Sequence, residues 1–153
     1  MRHFADSTRF YLATSVFPSI FKGIELPMNS AQEQPAGITV PMDFPAALRW
    51  VDGDQDLLAE LIEIFLADCP QRLHELAQAV KESNAIGVNQ AAHSLKGMVA
   101  CFCARPAQEL AGEMEGLGKA GDVSKASDLL SALLLEFARV MNHLKLTDWR
   151  GMN

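Results

Sequence analysis

Apolar residues recur every three or four positions along four stretches of the chain, which is the spacing of one face of an α-helix. Polar residues fill most of the intervening positions, so each stretch predicts an amphipathic helix with one side against a core. The four apolar stripes are Leu58, Leu61, Ile62, Phe65, Cys69, Leu73, Leu76 and Val80; Val88, Ala91, Ala92, Leu95, Met98, Val99 and Phe102; Ala107, Leu110, Ala111, Met114 and Leu117; and Val123, Ala126, Leu130, Leu133, Phe137, Met141 and Leu144.

Residues that favour helix ends lie between these stripes. Signals of the same kind predict one short helix before the first stripe. Asp43 is a candidate N-cap for the short helix, with Pro45 in its first turn. Asp52, followed three residues later by Gln55, resembles a capping box and predicts the start of the first long helix. Pro70 lies inside that helix, but the apolar stripe keeps its phase on both sides, so we expect a kink rather than an end.

The later helices have boundary signals of the same kind. Asn84 is a candidate cap for the second long helix, which should run to about Phe102, and Pro106 suits the first turn of the third. Asp122 is the predicted cap of the fourth. The end of the third helix is predicted from Gly116, Gly118 and Gly121. Four long helices joined by short loops favour an all-α fold, an antiparallel up-down four-helix bundle with a short additional N-terminal helix.

The bundle accounts for residues 42–146, and we interpret its flanks as tails. Residues 1–41 end in a turn-rich, aperiodic stretch typical of a linker, and residues 147–153 are polar.

An apolar run at residues 10–17 resembles a secretory signal, but Pro18 and Lys22 interrupt it and argue against that reading. Met28 is an alternative start, which would make residues 1–27 an extension outside the native protein.

Composition and charge narrow the possible functions. The chain is 49% hydrophobic with a net charge of −6, which argues against a nucleic-acid partner. No apolar run reaches the roughly 20 residues that span a bilayer. Three cysteines make no even disulfide framework, and Cys101-x-Cys103 lacks the spacing of a zinc site, so packing thiols in a reducing cytoplasm are the favoured interpretation.

One face of the second long helix carries the candidate chemistry. Lys96 and Gly97 follow His93 by three and four residues, so the three lie on one side of the helix and off its apolar stripe. Asn89 and Gln90 lie about one turn earlier. We expect all five to form one solvent-facing surface, with Gln90 and Asn89 as a possible partner surface.

An exposed neutral imidazole is a nucleophile, which suits transient phosphorylation of His93 on nitrogen. Lys96 can hold phosphoryl oxygens as a mobile point charge, and Gly97 leaves room for a partner to approach. The chain has no Gly-rich nucleotide loop, kinase motif or P-loop. We therefore predict a phosphoryl carrier without ATP chemistry or a cofactor of its own, and leave open whether it is an enzyme.

The stretch His93-Ser-Leu-Lys-Gly97 resembles the His-x-Leu-Lys-Gly signature of histidine-containing phosphotransfer (Hpt) domains, which serve two-component phosphorelays in signal transduction. From about Met42 to Leu146 the chain is similar to the whole pattern of that family, including the mid-helix Pro70 and the Gly121-Asp122 pair before the last helix.

The resemblance implies that His93 accepts a phosphoryl group from a receiver aspartate and passes it to another, with Lys96 and Gly97 as supporting residues. It implies response-regulator receiver domains, which would hold Mg²⁺, and a hybrid histidine kinase as partners. We expect a cytoplasmic monomer.

Two residues depart from the family pattern. Met98 stands where a small residue is usual, near the core stripe, where it should be harmless. Cys103 stands where a glycine is common, and a positive φ there would cost about 1 kcal/mol relative to glycine.

Other candidates have plainer interpretations. His3, His74 and His143 are expected to have no role, and Glu109, Glu113 and Glu115 to form a solvated helix face. The inward Glu-x-x-His pairs of a di-iron bundle do not occur. Two alternative functions stay open: a non-catalytic module that binds a receiver, and a phosphoacceptor domain of the chemotaxis-kinase type that an ATP-binding partner phosphorylates in trans.

Overall fold

The computed structural model describes residues 40–147, which form five helices and no strand. They are α1 (Phe44–Trp50), α2 (Gln55–Lys81), α3 (Ala85–Ala100), α4 (Arg105–Ala120) and α5 (Ala126–Leu146). The predictions of an N-terminal tail, a signal-like run and an alternative start at Met28 lie outside the described residues, as does the C-terminal tail from residue 148. None of the described helices is long and apolar enough to cross a membrane.

The predicted all-α bundle is confirmed by the way the helices pack. α3 lies between α2 and α4, α5 contacts both α4 and α2, and α1 packs on α2. Every long helix contributes fully buried side chains, among them Leu58, Leu73, Val88, Leu95, Met114, Leu133 and Phe137. The rings of Phe65 and Phe102 meet edge to face, with centroids 5.1 Å apart, an arrangement that aromatic pairs prefer. The apolar stripes read from the sequence therefore meet in one core.

The first two helices begin with aspartate caps, one of them not where the sequence predicted. Asp43 caps α1 as expected, its Oδ1 accepting the N–H of Ala46 at 3.0 Å. The cap of α2 is Asp54, which accepts the N–H of Leu57 at 3.0 Å, so the prediction of Asp52 is wrong. Asp52 has a φ of +53°, a left-handed conformation in which the chain is still turning before the helix begins.

Pro70 is buried inside α2 and does not end it. The helix continues to Lys81, as the unbroken phase of its apolar stripe predicted. Asn84 then caps α3 as predicted, accepting the N–H of Gly87 at 3.0 Å.

Two of the three glycines that predicted the end of α4 lie inside it. Gly116 and Gly118 are helical, whereas Gly121 is the left-handed C-cap with a φ of +74°. Gly118 is needed for packing, because a Cβ there would lie only 2.8 Å from the carbonyl oxygen of Ala85 and 2.8 Å from Cα of Asn89. The missing side chain lets α4 approach the backbone of α3 closely.

The predicted cap of the last helix is also wrong. α5 begins at Ala126 after Lys125, so Asp122 and Val123 precede it. Asp122 instead closes a local turn, its Oδ1 accepting the N–H of Ser124 at 3.1 Å. Short-range bonds of this kind let aspartate stabilise a turn as readily as a helix start.

α3 ends at Ala100, two residues before the predicted end. Cys103 then adopts a φ of +51°, the condition under which its side chain was expected to be unfavourable. A cysteine therefore stands where the backbone favours glycine, at a cost of about 1 kcal/mol.

Candidate functional site

His93 lies on the outer side of α3, with 69% of its side chain exposed to solvent. The opposite side of α3 is fixed in the core by fully buried residues, among them Val88, Ala92, Leu95 and Val99. Because the helix is held by its cap and by this stripe, the imidazole is presented from a rigid element rather than from a loop.

A carboxylate on the neighbouring helix α4 contacts both predicted functional side chains. Oε1 of Glu115 lies 2.8 Å from Nδ1 of His93, and Oε2 lies 2.5 Å from Nζ of Lys96. The Glu115 side chain is only 19% exposed. The prediction that Glu115 belongs to a solvated helix face is therefore wrong, and the three residues form one hydrogen-bonded cluster.

Glu115 reaches His93 because the two helices are held at short range. Gly118, one turn after Glu115, packs directly on the backbone of α3. Nδ2 of Asn89 donates to the main-chain carbonyl of Glu115 at 3.2 Å. An added Cβ at Gly112 would lie 3.7 Å from Cδ of Lys96, an ordinary contact distance, so the lysine stem passes close to this part of α4.

The electrostatics of the cluster decide which nitrogen of His93 is free. The hydrogen bond from Lys96, and then that from His93, hold the pKa of Glu115 below its ordinary value. An ionised carboxylate can only accept, so the bond to Nδ1 requires the proton on that nitrogen. In the neutral ring the lone pair is then on Nε2, the other ring nitrogen, which makes no hydrogen bond among the described residues.

The remaining predicted residues divide between the surface and the helix interface. Gln90 and Gly97 are exposed beside His93, and a Cβ at Gly97 would have no neighbour within 4 Å. Asn89, which was expected to face solvent, is half-buried and turned toward α4 by its bond to Glu115. The structure thus brings His93, Lys96 and Gly97 together and gives Asn89 a packing contact.

The cysteines show no sign of reactive thiol chemistry. Burial raises the pKa of the Cys69 thiol well above its usual range, and it also raises the pKa of Cys101. Sγ of Cys101 donates to the carbonyl of Met98 at 3.3 Å. Within residues 40–147 no group of three or more His, Cys, Asp or Glu side chains could hold a metal ion.

Glu115 is the functional candidate that the sequence prediction missed, although a signal was present. It follows Glu113 by two residues, which places it about 200° away around the helix. It also follows the buried Ala111 by four residues and so borders the apolar stripe. A carboxylate at that border faces a neighbouring helix, whereas Glu109 and Glu113 are exposed.

Comparisons with known proteins identify the family and the fold. The family model of the Hpt domain matches residues 60–143. The crystal structure of histidine-containing phosphotransfer protein B (HptB) from Pseudomonas aeruginosa PAO1 is similar, with a TM-score of 0.64 and 25% identity over 69% of this chain and 91% of that chain. The Hpt domain of a sensor hybrid histidine kinase from Shewanella shares the fold, with a TM-score of 0.61 and 21% identity over the same shares of the two chains. No curated protein sequence matches the chain significantly.

The family model covers more than half of the chain, and the solved structures share its helical bundle. The protein is therefore a member of the histidine-containing phosphotransfer (Hpt) domain family and acts in histidine phosphotransfer within a phosphorelay.

Proposed function

We propose that His93 accepts a phosphoryl group from the aspartyl phosphate of one receiver domain and passes it to the aspartate of another. The observation that carries this proposal is the bond between Nδ1 and Glu115 on a ring that is largely exposed. It supports Nε2 as a nucleophile whose lone pair is free for an incoming phosphorus atom.

The transfer needs no proton movement at His93. The lone pair on Nε2 attacks the phosphorus atom, an N–P bond forms, and the P–O bond to the aspartyl oxygen breaks with its electron pair left on the released carboxylate. The phosphorylated ring then carries a positive charge, which the Glu115 carboxylate 2.8 Å from Nδ1 stabilises. In the second transfer an aspartate oxygen of the next receiver attacks the phosphorus, and the N–P bond returns its electrons to Nε2.

Lys96 and Gly97 assist this exchange in different ways. The ammonium group of Lys96 is bound to Glu115 in the unphosphorylated protein, and its flexible stem allows it to turn toward phosphoryl oxygens. Gly97 leaves the surface one turn after His93 without a side chain, which gives a receiver access to the imidazole.

The partners follow from this chemistry. The receivers would hold the Mg²⁺ ion that neutralises the transferred group, since this chain would supply only the nucleophile and a docking surface. A hybrid histidine kinase would supply the phosphoryl group at the head of the relay. We propose a monomer, because one copy of the His93 surface is sufficient for each transfer. We propose a cytoplasmic location, because the chain's three cysteines are free thiols, as is usual in a reducing compartment.

The proposal is tested by incubating the full chain, and His93→Gln in parallel, with a panel of ³²P-phosphorylated receiver domains and Mg²⁺. We expect label on the wild type that is acid-labile and alkali-stable, as expected for phosphohistidine. We expect no label on His93→Gln, whose far-UV circular dichroism and thermal unfolding should match the wild type.

Label on His93→Gln would refute His93 as the acceptor. Labelling of the wild type by an ATP-charged kinase domain, but by no receiver, would favour the chemotaxis-type alternative. Labelling by neither donor would leave a receiver-binding module and end the proposal.

A further inference from the structure

The exposed residues of α3 form a single line along the helix. Only four of its residues are exposed, and they are Ile86, Gln90, His93 and Gly97. Their spacings of four, three and four place them within about 60° of arc around the helix axis. Ile86 and His93 differ by only about 20° in direction and by about 10 Å along the axis. A partner that lies over His93 therefore faces Ile86 as well.

Ile86 is unusual for its surroundings. Its 72% exposure exceeds that of every other large apolar side chain in the described part of the chain except Leu146, the last residue of α5. An isoleucine near the start of a helix contributes little to helix formation, because β-branched side chains have lower helix propensity than alanine, leucine or lysine. Within residues 40–147, neither burial in the core nor helix propensity accounts for an isoleucine at this position.

An interface centred on His93 would be wide enough to include Ile86. Even a small interface buries about 600 Å² on each partner, equivalent to a disc of roughly 14 Å radius. Ile86 lies within that radius of His93, on the side of the line opposite Gly97. The line is therefore asymmetric, with a protruding apolar side chain before the imidazole and a bare backbone after it.

We propose that Ile86 is a docking and specificity residue that inserts against an apolar patch on the receiver domain. The inference rests on the proposed function of His93 and adds the feature that selects and orients the partner. A receiver with an apolar patch about 10 Å from its phosphorylated aspartate would be aligned along α3, whereas one with a charged patch there would be rejected. Burial of the Ile86 side chain within that interface would contribute hydrophobic binding energy.

The experiment uses the receiver that labels the full-length wild type fastest, with transfer rates measured over a range of receiver concentrations. Ile86→Ala should lower kcat/KM about tenfold, and Ile86→Lys should lower it further, while the rate at saturating receiver stays at the wild-type value. The matched control is Ile64→Lys, which changes an exposed isoleucine on α2. Ile64 lies about 25 Å along α2 from the connection to α3, and His93 lies about 12 Å along α3 from the same connection. Ile64 is therefore displaced from His93 along the bundle, on a different helix, which makes it a suitable control.

Wild-type labelling with no loss of kcat/KM in either Ile86 variant would overturn this inference and leave the role of His93 intact. An equal loss in Ile64→Lys would overturn it too, because the effect would then be a general consequence of an added charge. A reduced rate at saturating receiver would place Ile86 in the chemistry instead of the docking. Failure of the wild type to accept label from any receiver would instead refute the proposed function itself.

Discussion

At His93, the nitrogen that we propose as the nucleophile is set by a side chain 22 residues away in the sequence. The local pattern places Lys96 and Gly97 beside the imidazole, but it does not say which ring nitrogen carries the proton. Glu115 supplies that information through its bond to Nδ1, and the same carboxylate binds the ammonium group of Lys96. Glu115 is thus a positioning residue for the proposed nucleophile.

Removing this acceptor is expected to shift the tautomer of the neutral His93 ring. In Glu115→Ala the share of neutral rings protonated on Nδ1 should fall, and phosphoryl transfer at saturating receiver should slow about tenfold. Glu115→Gln should retain much of both, because its amide oxygen can still accept from Nδ1. Long-range ¹H–¹⁵N spectra of the imidazole report the tautomer, and single-turnover labelling reports the rate. An unchanged tautomer in Glu115→Ala would contradict the assignment.

The lowered pKa of Glu115 also predicts how stability depends on pH. Because the pKa is lower in the folded than in the unfolded protein, the stabilisation by this cluster is complete above the unfolded value, about 4.3, and is lost as pH falls through the folded value. The free energy of unfolding should therefore differ between wild type and Glu115→Gln at pH 7, and the difference should shrink between pH 5 and pH 3. Urea titrations across this range would measure it. Glu109→Gln, on the exposed side of α4, serves as the control, and a pH-independent difference for Glu115→Gln would contradict the prediction.

At the scale of helices, the site depends on the close approach of α3 and α4. Two glycines of α4 distinguish the effect of close helix packing from the effect of helix propensity. At Gly118 a Cβ would collide with the backbone of Ala85 and Asn89, whereas at Gly116 it would meet nothing within 4 Å.

Gly118→Ala should therefore destabilise the protein by about 2 kcal/mol through overpacking. Gly116→Ala should stabilise it by about 0.5–1 kcal/mol, because alanine is the better helix former. Urea denaturation at 25 °C would compare the two. Gly118→Ala should also slow labelling of His93, since it displaces Glu115; stability changes of the same sign in both variants would contradict the role of Gly118.

The end of α3 offers a second test of backbone conformation. Cys103 has a φ of +51°, so Cys103→Gly should raise the free energy of unfolding by about 1 kcal/mol. Cys103→Ala keeps a Cβ in the same conformation and should show no such gain. Thermal and urea unfolding of both variants would measure this, and equal effects would show that the thiol rather than the backbone matters.

The helices themselves could be predicted from local sequence, and the errors have a common cause. Periodicity identified all four long helices, and Asp43 and Asn84 were identified as caps from residue type alone. Asp52 and Asp122 misled because aspartate also stabilises turns, and Gly118 misled because glycine serves close packing as well as helix ends. The His93 surface is encoded within one helix and was predicted. The contact with Glu115 depends on how α3 and α4 align, which no local pattern specifies.

At the scale of the whole molecule, the described residues share one hydrophobic core. The buried apolar residues extend from Met42 to Leu144, and every helix from α1 to α5 contributes to them. A segment of about 100 residues with one continuous core is of the size at which domains fold alone. His93, Lys96 and Glu115 lie on α3 and α4, inside this segment.

A fragment of residues 40–147 is therefore expected to fold by itself and to be labelled by the cognate receiver at the same rate as the full chain. Cooperative unfolding should appear as coincident circular dichroism and fluorescence transitions, the latter from Trp50. A fragment that folds but is labelled slowly would mean that residues outside 40–147 take part in docking. A fragment that melts without cooperativity would mean that the core needs them. Equal labelling with a cooperative transition would place both the fold and the proposed relay chemistry within the five helices.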